Sequence, residues 1–379
     1  MTDKTHPRSP TSTASEAIQT LLYSKIAQSG PLQISQFIEI VLGHSDHGYY
    51  RRQNPIGADG DFTTAAEISG LFGEMCGFFL AHMYEIAGQP GTAQIVELGP
   101  GRGSLMADML HVWAHIMPVM ANLPIQLVET SPKLRTIQKQ CIKAKAIAWY
   151  DDVQSLPDTA LFGIANEFFD ALPIDQAVWR QGAWRHRLVT DVHGALSFIH
   201  GPALTLPELK LWQITNDQHN MTEGRIAEYC PAVEPIVRQV ASRIARHGGA
   251  FLIIDYGKND NFSDSLQAVE AHKPVDLLYQ PGNADISHWV DFAALRRATI
   301  NSGARFIGPI TQANFLMRNG LRERAENAAR FCDANGRRTL LSAVNRLVGA
   351  HHMGTAFKVG LIIPAGDGVP VGFGGEDLS

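Results

Sequence analysis

Apolar residues recur at helical spacing in three blocks near the start of the chain. Ile18, Leu21, Leu22 and Ile26 predict a helix ended by Gly30-Pro31, and order is expected to begin near Ala17. Ile34, Phe37, Ile38, Val41 and Leu42 predict a second. Leu71, Met75, Phe78, Phe79, His82, Met83 and Ile86 predict the apolar face of a third, closed by the Gly/Pro cluster at 88–91. Between the second and third, residues 43–64 are rich in Gly, His and Asp, include the adjacent Tyr49 and Tyr50, and read as loop.

From residue 94 the pattern changes. Short apolar runs at 94–98, 125–129, 162–166 and 251–255 read as strands. They alternate with helical text: Leu105, Met109, Trp113 and Met117; then Leu134, Ile137 and Cys141; then Ile236, Val240 and Ile244. Such alternation predicts an α/β fold, a Rossmann-like parallel sheet covered on both faces. A last strong strand is expected at 357–363, with 305–307 as a partner. The expected layout is a flexible tail at 1–16, an N-terminal helical region at 17–92, and a core at 93–363. Insertions interrupt that core at about 178–223 and 258–350, and 364–379 is expected to be a second flexible tail.

Hydrophobic residues make up 45% of the 379 and charged residues 18%, as in a globular rather than a disordered protein. A net charge of -5 disfavours nucleic acid as a partner. The four cysteines contain no C-x-x-C pair, so no zinc knuckle or dithiol site is expected, and no metal. No run approaches the roughly 20 apolar residues of a membrane span. The first residues lack both a secretory core and an Arg-rich transit character. Bacterial cytoplasm is the expected compartment, with the mitochondrial matrix as the alternative.

The chemistry concentrates at strand ends. In Ile95-Val96-Glu97-Leu98-Gly99-Pro100-Gly101-Arg102-Gly103 a strand enters a glycine turn and a helix leaves it. Glycines let the backbone approach a ligand, and the helix start presents free N–H groups. The G-x-G-x-G spacing is neither the dinucleotide G-x-G-x-x-G nor a P-loop. Glu97 would repel a pyrophosphate but accept from the ammonium group of a methionine moiety, so S-adenosylmethionine is the expected cofactor at Glu97, Gly99, Gly101 and Gly103. Glu129 ends the next strand, where an acid can hold both ribose hydroxyls. Asp152 with Val153 follows the strand after that and reads either as an adenine contact or as a solvated turn. In 165–173 the strand ends in Asn166, followed by Glu167 and Asp170 around two phenylalanines. Two carboxylates there suit a cationic nitrogen, a guanidinium in particular.

These residues carry a family resemblance. The chain resembles the complex I assembly-factor methyltransferases, the MidA family, which has mitochondrial and bacterial members. The matching text runs in order from about residue 20 to 363. It includes Gly60-Asp61-Phe62-Thr63-Thr64, the glycine turn, Val128-Glu129-Thr130-Ser131-Pro132, 165–173 with Gln176, Asp255-Tyr256-Gly257, Asp285-Ile286-Ser287-His288 and Phe357-Lys358-Val359. The resemblance implies a class I methyltransferase fold with an added helical region. It also implies methylation of an arginine on a protein acceptor, a respiratory complex I subunit or its bacterial counterpart. By the same implication Asn166 belongs to the cofactor site, and Glu167, Asp170 and His288 to catalysis. The chain departs from the family's usual text at Ala65-Ala66 and at Ile286-Ser287, both in segments that shape the acceptor side. Two other readings stay open: an assembly factor that keeps the cofactor as a structural ligand, and a small-molecule methyltransferase.

Overall fold

A computed structural model describes residues 10–49, 64–144, 146–214 and 221–374. The core sheet is built from β1 (Ala93–Leu98), β2 (Ile125–Val128), β3 (Ile147–Tyr150), β4 (Ala160–Asn166), β5 (Gly249–Lys258), β6 (Ala304–Thr311) and β7 (Phe357–Pro364). Their order across the sheet is β6-β7-β5-β4-β1-β2-β3. Strands β1 to β5 pair in parallel. The expected Rossmann-like parallel sheet is present through β1 to β5, and at one edge β7 runs antiparallel to both β5 and β6. The partnership of 305–307 with the last strand holds, with Phe306 opposite Ile362.

Alternation along each strand fills two cores. Ile95, Ile125, Phe162 and Leu252 face the helices Gly70–Ile86 and Ser104–Ile116. Val96, Leu98, Leu161 and Phe251 face Val233–His247 and Phe292–Asn301. Period-two burial on both sides is what a sheet between two helical layers demands. Helix Phe292–Asn301 and β6 therefore belong to the core, so the insertion expected over 258–350 divides into a piece before Phe292 and a piece after Thr311.

The 178–223 text folds, with its flanks, into a second sheet in which Ala183–Val192 pairs with Asp175–Arg180, Ala195–Ala203 and Leu32–Gln33. Ile18, Leu22, Phe37 and Val41 of the first two helices pack with Val189 of that sheet. The N-terminal region is thus two bodies: 10–43 sits on the inserted sheet, and Gly70–Ile86 on the core. In the latter helix the expected Leu71, Met75, Phe79 and Met83 are buried together with Phe72, Cys76, Leu80 and Tyr84, while Ile86 is 53% exposed, so the buried face is wider than the apolar period alone suggests. Gly73 and Gly77 let this helix approach the Ser104–Ile116 helix closely at Asp108 and Met109, which buries the added side of it.

Both expected tails are shorter. The first helix spans Pro10–Ser29, and Ser15 is buried with its hydroxyl donating to Pro281 O at 3.1 Å. Proline suits a first helical position, and a tertiary contact rather than apolar periodicity holds this start. At the other end Phe373 is fully buried, its ring 5.5 Å from that of Phe79 and 5.7 Å from that of Phe315. Val369, Val371 and Phe373 alternate in Gly/Pro-rich text, yet Val369 and Val371 are exposed, so no local period singles out Phe373. Among the described residues, no helix is long and apolar enough to cross a membrane.

Phe373→Ala should cost about 3–5 kcal/mol, the range for emptying a buried phenylalanine site. Urea unfolding measures it; a loss under about 1 kcal/mol would show the segment to be dispensable.

Candidate functional site

The C-terminal ends of β1, β2, β4 and β5 meet at one edge of the core sheet, the place where open α/β sheets bind ligands. Leaving β1, Gly99, Gly101 and Gly103 adopt φ of +61°, +53° and +85°. A Cβ at Gly99 would lie 2.8 Å from the Phe168 ring, so glycine is required there by both conformation and space. Gly103 caps helix Ser104–Ile116.

Around this turn the expected residues converge. Glu97 is buried, and burial pushes its carboxyl up from 4.5 to about 8. Its Oε2 has no hydrogen-bond partner among the described residues, and neither does Asn166 Oδ1. These two acceptors stand at the ends of the adjacent strands β1 and β4. An ammonium group able to donate to both would satisfy them, which fits the methionine end of S-adenosylmethionine. Glu129 at the end of β2 accepts from Ser131 N at 2.7 Å on Oε1 and from Gln138 Nε2 at 3.3 Å on Oε2. Burial raises its pKa, against the pull of those donors. Each oxygen keeps acceptor capacity for a diol. Val153 is buried against Val96, Leu98 and Val128. Asp152 is exposed and its Oδ1 accepts from Ser155 N at 2.8 Å and Ser155 Oγ at 2.9 Å, which lowers its pKa. That oxygen closes a turn, the second of the two readings open for it.

Beyond β4, Glu167 holds a left-handed backbone, φ +50°, uncommon for a residue with a side chain. Its Oε1 accepts from Asn166 Nδ2 at 3.2 Å and from Ala65 N at 2.9 Å. It thereby caps the short helix Ala65–Ile68, whose Glu67 accepts from Ser104 Oγ at 2.9 Å. This short helix is thus tied at its first residue to the turn after β4 and through Glu67 to the start of the helix that follows the glycine turn. Asp61 and Thr63, family-like positions, lie outside the described residues. Burial pushes the Glu167 carboxyl up to about 8, with Asp170 adding to the shift. Asp170 is buried, its Oδ1 lacks a partner among the described residues, and burial raises its pKa. Glu167 and Tyr256 line a cavity of about 570 Å³. Asp170 does not line it; it lies close to the Tyr256 hydroxyl, without a hydrogen bond of ordinary geometry.

His288 takes a different place from the catalytic one expected. It is buried, with Nδ1 3.0 Å from Trp289 O and Nε2 3.1 Å from Leu172 O. Burial lowers its pKa to about 4. The neutral ring has one N–H to donate, and both of its nitrogens face main-chain carbonyls rather than a substrate. His288 N donates to Asp170 O at 3.0 Å, so the residue positions the Asp170 turn.

Several residues of the site escaped the sequence reading. Asp255 is fully buried, and its Oδ2 accepts from Phe169 N at 3.0 Å and Asp170 N at 3.3 Å, which shapes the turn carrying Asp170. Burial, then the neighbouring Asp170 and Glu167 charges, raise its pKa. Gln138 is fully buried; its Nε2 donates to Gly101 O at 2.8 Å and to Glu129, and its Oε1 accepts from Trp149 Nε1 at 2.8 Å. It thus joins the glycine turn, the Glu129 carboxylate and β3. The available signal was its position four residues after the buried Leu134, a polar side chain in an inward stripe. Arg243 is a second such brace: its guanidinium donates to Gln154 O and Leu156 O, each at 2.9 Å, and so grips the loop after Asp152 and Val153.

Removing Gln138 as Leu should weaken S-adenosylmethionine binding at least tenfold, about 1.4 kcal/mol, because two acceptors and one donor lose their partner. Calorimetry on the folded variant decides this, and an unchanged affinity would show the brace to be irrelevant to the cofactor. Glu97 generates a pH prediction. In the cofactor-free fold it keeps its proton up to about pH 8, whereas the unfolded chain loses it near 4.5. The unfolded state is the stronger acid, so stability falls as pH rises through that window. Glu97→Gln should flatten the fall in Tm between pH 5 and 8; an identical slope in variant and parent would refute the assignment.

The comparisons with known proteins agree with this geometry. A family model described as "Putative S-adenosyl-L-methionine-dependent methyltransferase" matches residues 75–310. A Xenopus tropicalis protein named protein arginine methyltransferase NDUFAF7, mitochondrial, is 33% identical over 381 residues, covering 93% of this chain and 87% of its own. The Homo sapiens protein of the same name is 32% identical, covering 92% and 83%. The crystal structure of a Burkholderia thailandensis protein bound to S-adenosyl-homocysteine superposes with a TM-score of 0.84, at 26% identity and 97% coverage of both chains. The sheet order, the glycine turn and its unsatisfied acceptors, and these matches have one meaning: the chain belongs to this family of S-adenosyl-L-methionine-dependent methyltransferases.

Proposed function

We propose that this methyltransferase transfers its methyl group to an arginine of a protein acceptor. The observation that carries the reading is the group of buried and half-buried carboxylates Glu167, Asp170 and Asp255 beside a cavity that Glu167 and Tyr256 line. Like charges so placed raise one another's pKa, and a guanidinium beside Glu167 offsets the negative charge of the group. The names of the Xenopus and human relatives support the same acceptor chemistry.

Residue roles follow from position. Glu97 and Asn166 hold the methionine end of the cofactor, Glu129 the ribose, and the Asp152-Val153 loop the adenine. The bound cofactor supplies an electrophilic methyl on a sulfonium. Glu167 orients the planar guanidinium with one nitrogen toward that methyl, a positioning task of the kind that dominates in-line displacement. An arginine nitrogen is a weak nucleophile because its lone pair is delocalised. Transfer would form the N–C bond as the methyl–sulfur bond breaks, its electron pair staying on sulfur, and would leave the methylated guanidinium with one proton in excess. The Tyr256 hydroxyl passes that proton to Asp170 Oδ1, the buried acceptor without a partner. Tyr256 stays protonated itself, since burial raises its pKa.

The acceptor protein we infer is a respiratory complex I subunit or its bacterial counterpart, reached in the mitochondrial matrix or the bacterial cytoplasm. The mitochondrial names of the relatives favour this setting.

Asp170→Asn and Tyr256→Phe should each leave cofactor affinity within a few fold and slow single-turnover methylation of an acceptor protein by about 10²-fold or more. Rapid-quench transfer and calorimetry on the same preparations decide it. Lost cofactor binding with normal transfer at saturating cofactor would assign Asp170 to the cofactor and remove it from proton transfer.

A further inference from the structure

A second cavity of about 420 Å³ opens beside the one that Glu167 and Tyr256 line. Trp289 and Lys258 belong to the walls of both. The second cavity lies between the inserted sheet and the core helix Phe292–Asn301. Its wall includes Leu211, Trp212, Tyr229, Val233 and Val290. Trp212 and Tyr229 stack with ring centroids 5.3 Å apart at 20°, a flat aromatic surface.

Trp289 is 48% exposed, yet its backbone is pinned. Its N–H donates to Ser265 Oγ at 2.8 Å, and its carbonyl oxygen lies 3.0 Å from His288 Nδ1. The next residue, Val290, extends the core sheet by pairing with Gly257 at the end of β5. Only glycine permits that approach: a Cβ at Gly257 would come 2.2 Å from Val290 O. The preceding residue, His288, donates its N–H to Asp170 O. The Trp289 backbone is thus fixed in register with the carboxylate turn of the proposed transfer site. A rigid backbone presenting a large exposed aromatic side chain is the usual form of a binding anchor, because little entropy is lost on contact. Lys258, the other shared residue, is also held, its ammonium 2.6 Å from Phe262 O and 2.9 Å from Asp260 Oδ1.

We propose that this second cavity takes an aromatic or branched aliphatic side chain of the acceptor protein, close in sequence to the methylated residue, with Trp289 as the divide between the two. A segment that sends its acceptor side chain into the first cavity crosses the Trp289 ring and reaches the second without leaving the surface. The wall explains the chemical choice: its stacked rings and aliphatic carbons outweigh the charged groups beside them, among them Lys210, Glu234 and Arg297, and favour an apolar group by burial. The proposal rests on the protein-arginine reading, which places the acceptor in the first cavity.

The test is a positional library of eleven-residue peptides with a central arginine, each flanking position set in turn to Phe, Leu, Ala or Asp. Two quantities are read: methyl transfer from radiolabelled S-adenosylmethionine, and peptide binding by fluorescence polarisation with S-adenosylhomocysteine present. We expect a preference of at least tenfold for Phe or Leu over Ala at one fixed offset from the arginine. Trp289→Ala and the cavity-filling Ala294→Trp should each bring that ratio close to one. Calorimetric affinity for S-adenosylmethionine, as a check on folding, should change less than twofold in either variant. Transfer with no positional preference overturns the second cavity while leaving the arginine reading intact. A binding preference that both variants abolish, without any transfer to arginine, supports the cavity and overturns the arginine reading. Absence of both binding and transfer overturns the two together.

Discussion

Glu97, Glu129, Glu167, Asp170 and Asp255 stand along one edge of a single sheet, withdrawn in large part from water. A carboxylate taken out of water needs a proton, an N–H donor or a cation. The structure supplies the first two unevenly. Asp255 receives the N–H groups of Phe169, Asp170 and Tyr256 and so holds the turn after β4. Glu129 has Ser131 and Gln138, and Glu167 has Ala65 and Asn166. One oxygen each of Glu97 and Asp170 is left over. The unevenness separates scaffold from function: Asp255, holding three backbone N–H groups, shapes the turn, whereas Glu129 and Glu167 keep acceptor capacity and Glu97 and Asp170 each keep an oxygen without a partner among the described residues.

The distribution also orders the two halves of the reaction in space. On the side of β1, β2 and β3, Gln138 and Arg243 tie glycine turn, carboxylate and loop to one another, which suits a cofactor bound the same way in every cycle. The side of β4 and β5 opens into cavities whose walls come from the inserted segments. On the proposed reading, the core sheet would serve the cofactor while the inserted segments wall the acceptor side. His288 shows how the two sides connect: its imidazole supports main-chain carbonyls, and its backbone sets the position of Asp170.

The short helix Ala65–Ile68 belongs to this logic. Its first N–H is capped from a hundred residues away by Glu167, and its Glu67 reaches the start of the helix after the glycine turn. The strained backbone of Glu167 is therefore held by contacts on both sides, as such conformations require.

Local text was enough to reveal the parallel strands, the glycine turn and the acids at their ends. Their signals are short-range: period-two burial, glycine where φ is positive, a carboxylate just past a strand. Glu97, Glu129, Asn166, Glu167 and Asp170 were legible for that reason. What the sequence could not decide were matters of long-range partnership. That β7 runs against its neighbours, that Phe292–Asn301 is core rather than insertion, and that Phe373 closes an aromatic cluster depend on residues far away in the chain. Gln138 and Tyr256 joined the site only once the sheet had brought their partners within reach, and His288 left catalysis because two carbonyls claimed its ring. Hydrogen-bond capacity is written in the side chain, but its use depends on what the fold packs beside it; the sequence therefore named the chemistry, and the tertiary structure decided which groups remained available to perform it.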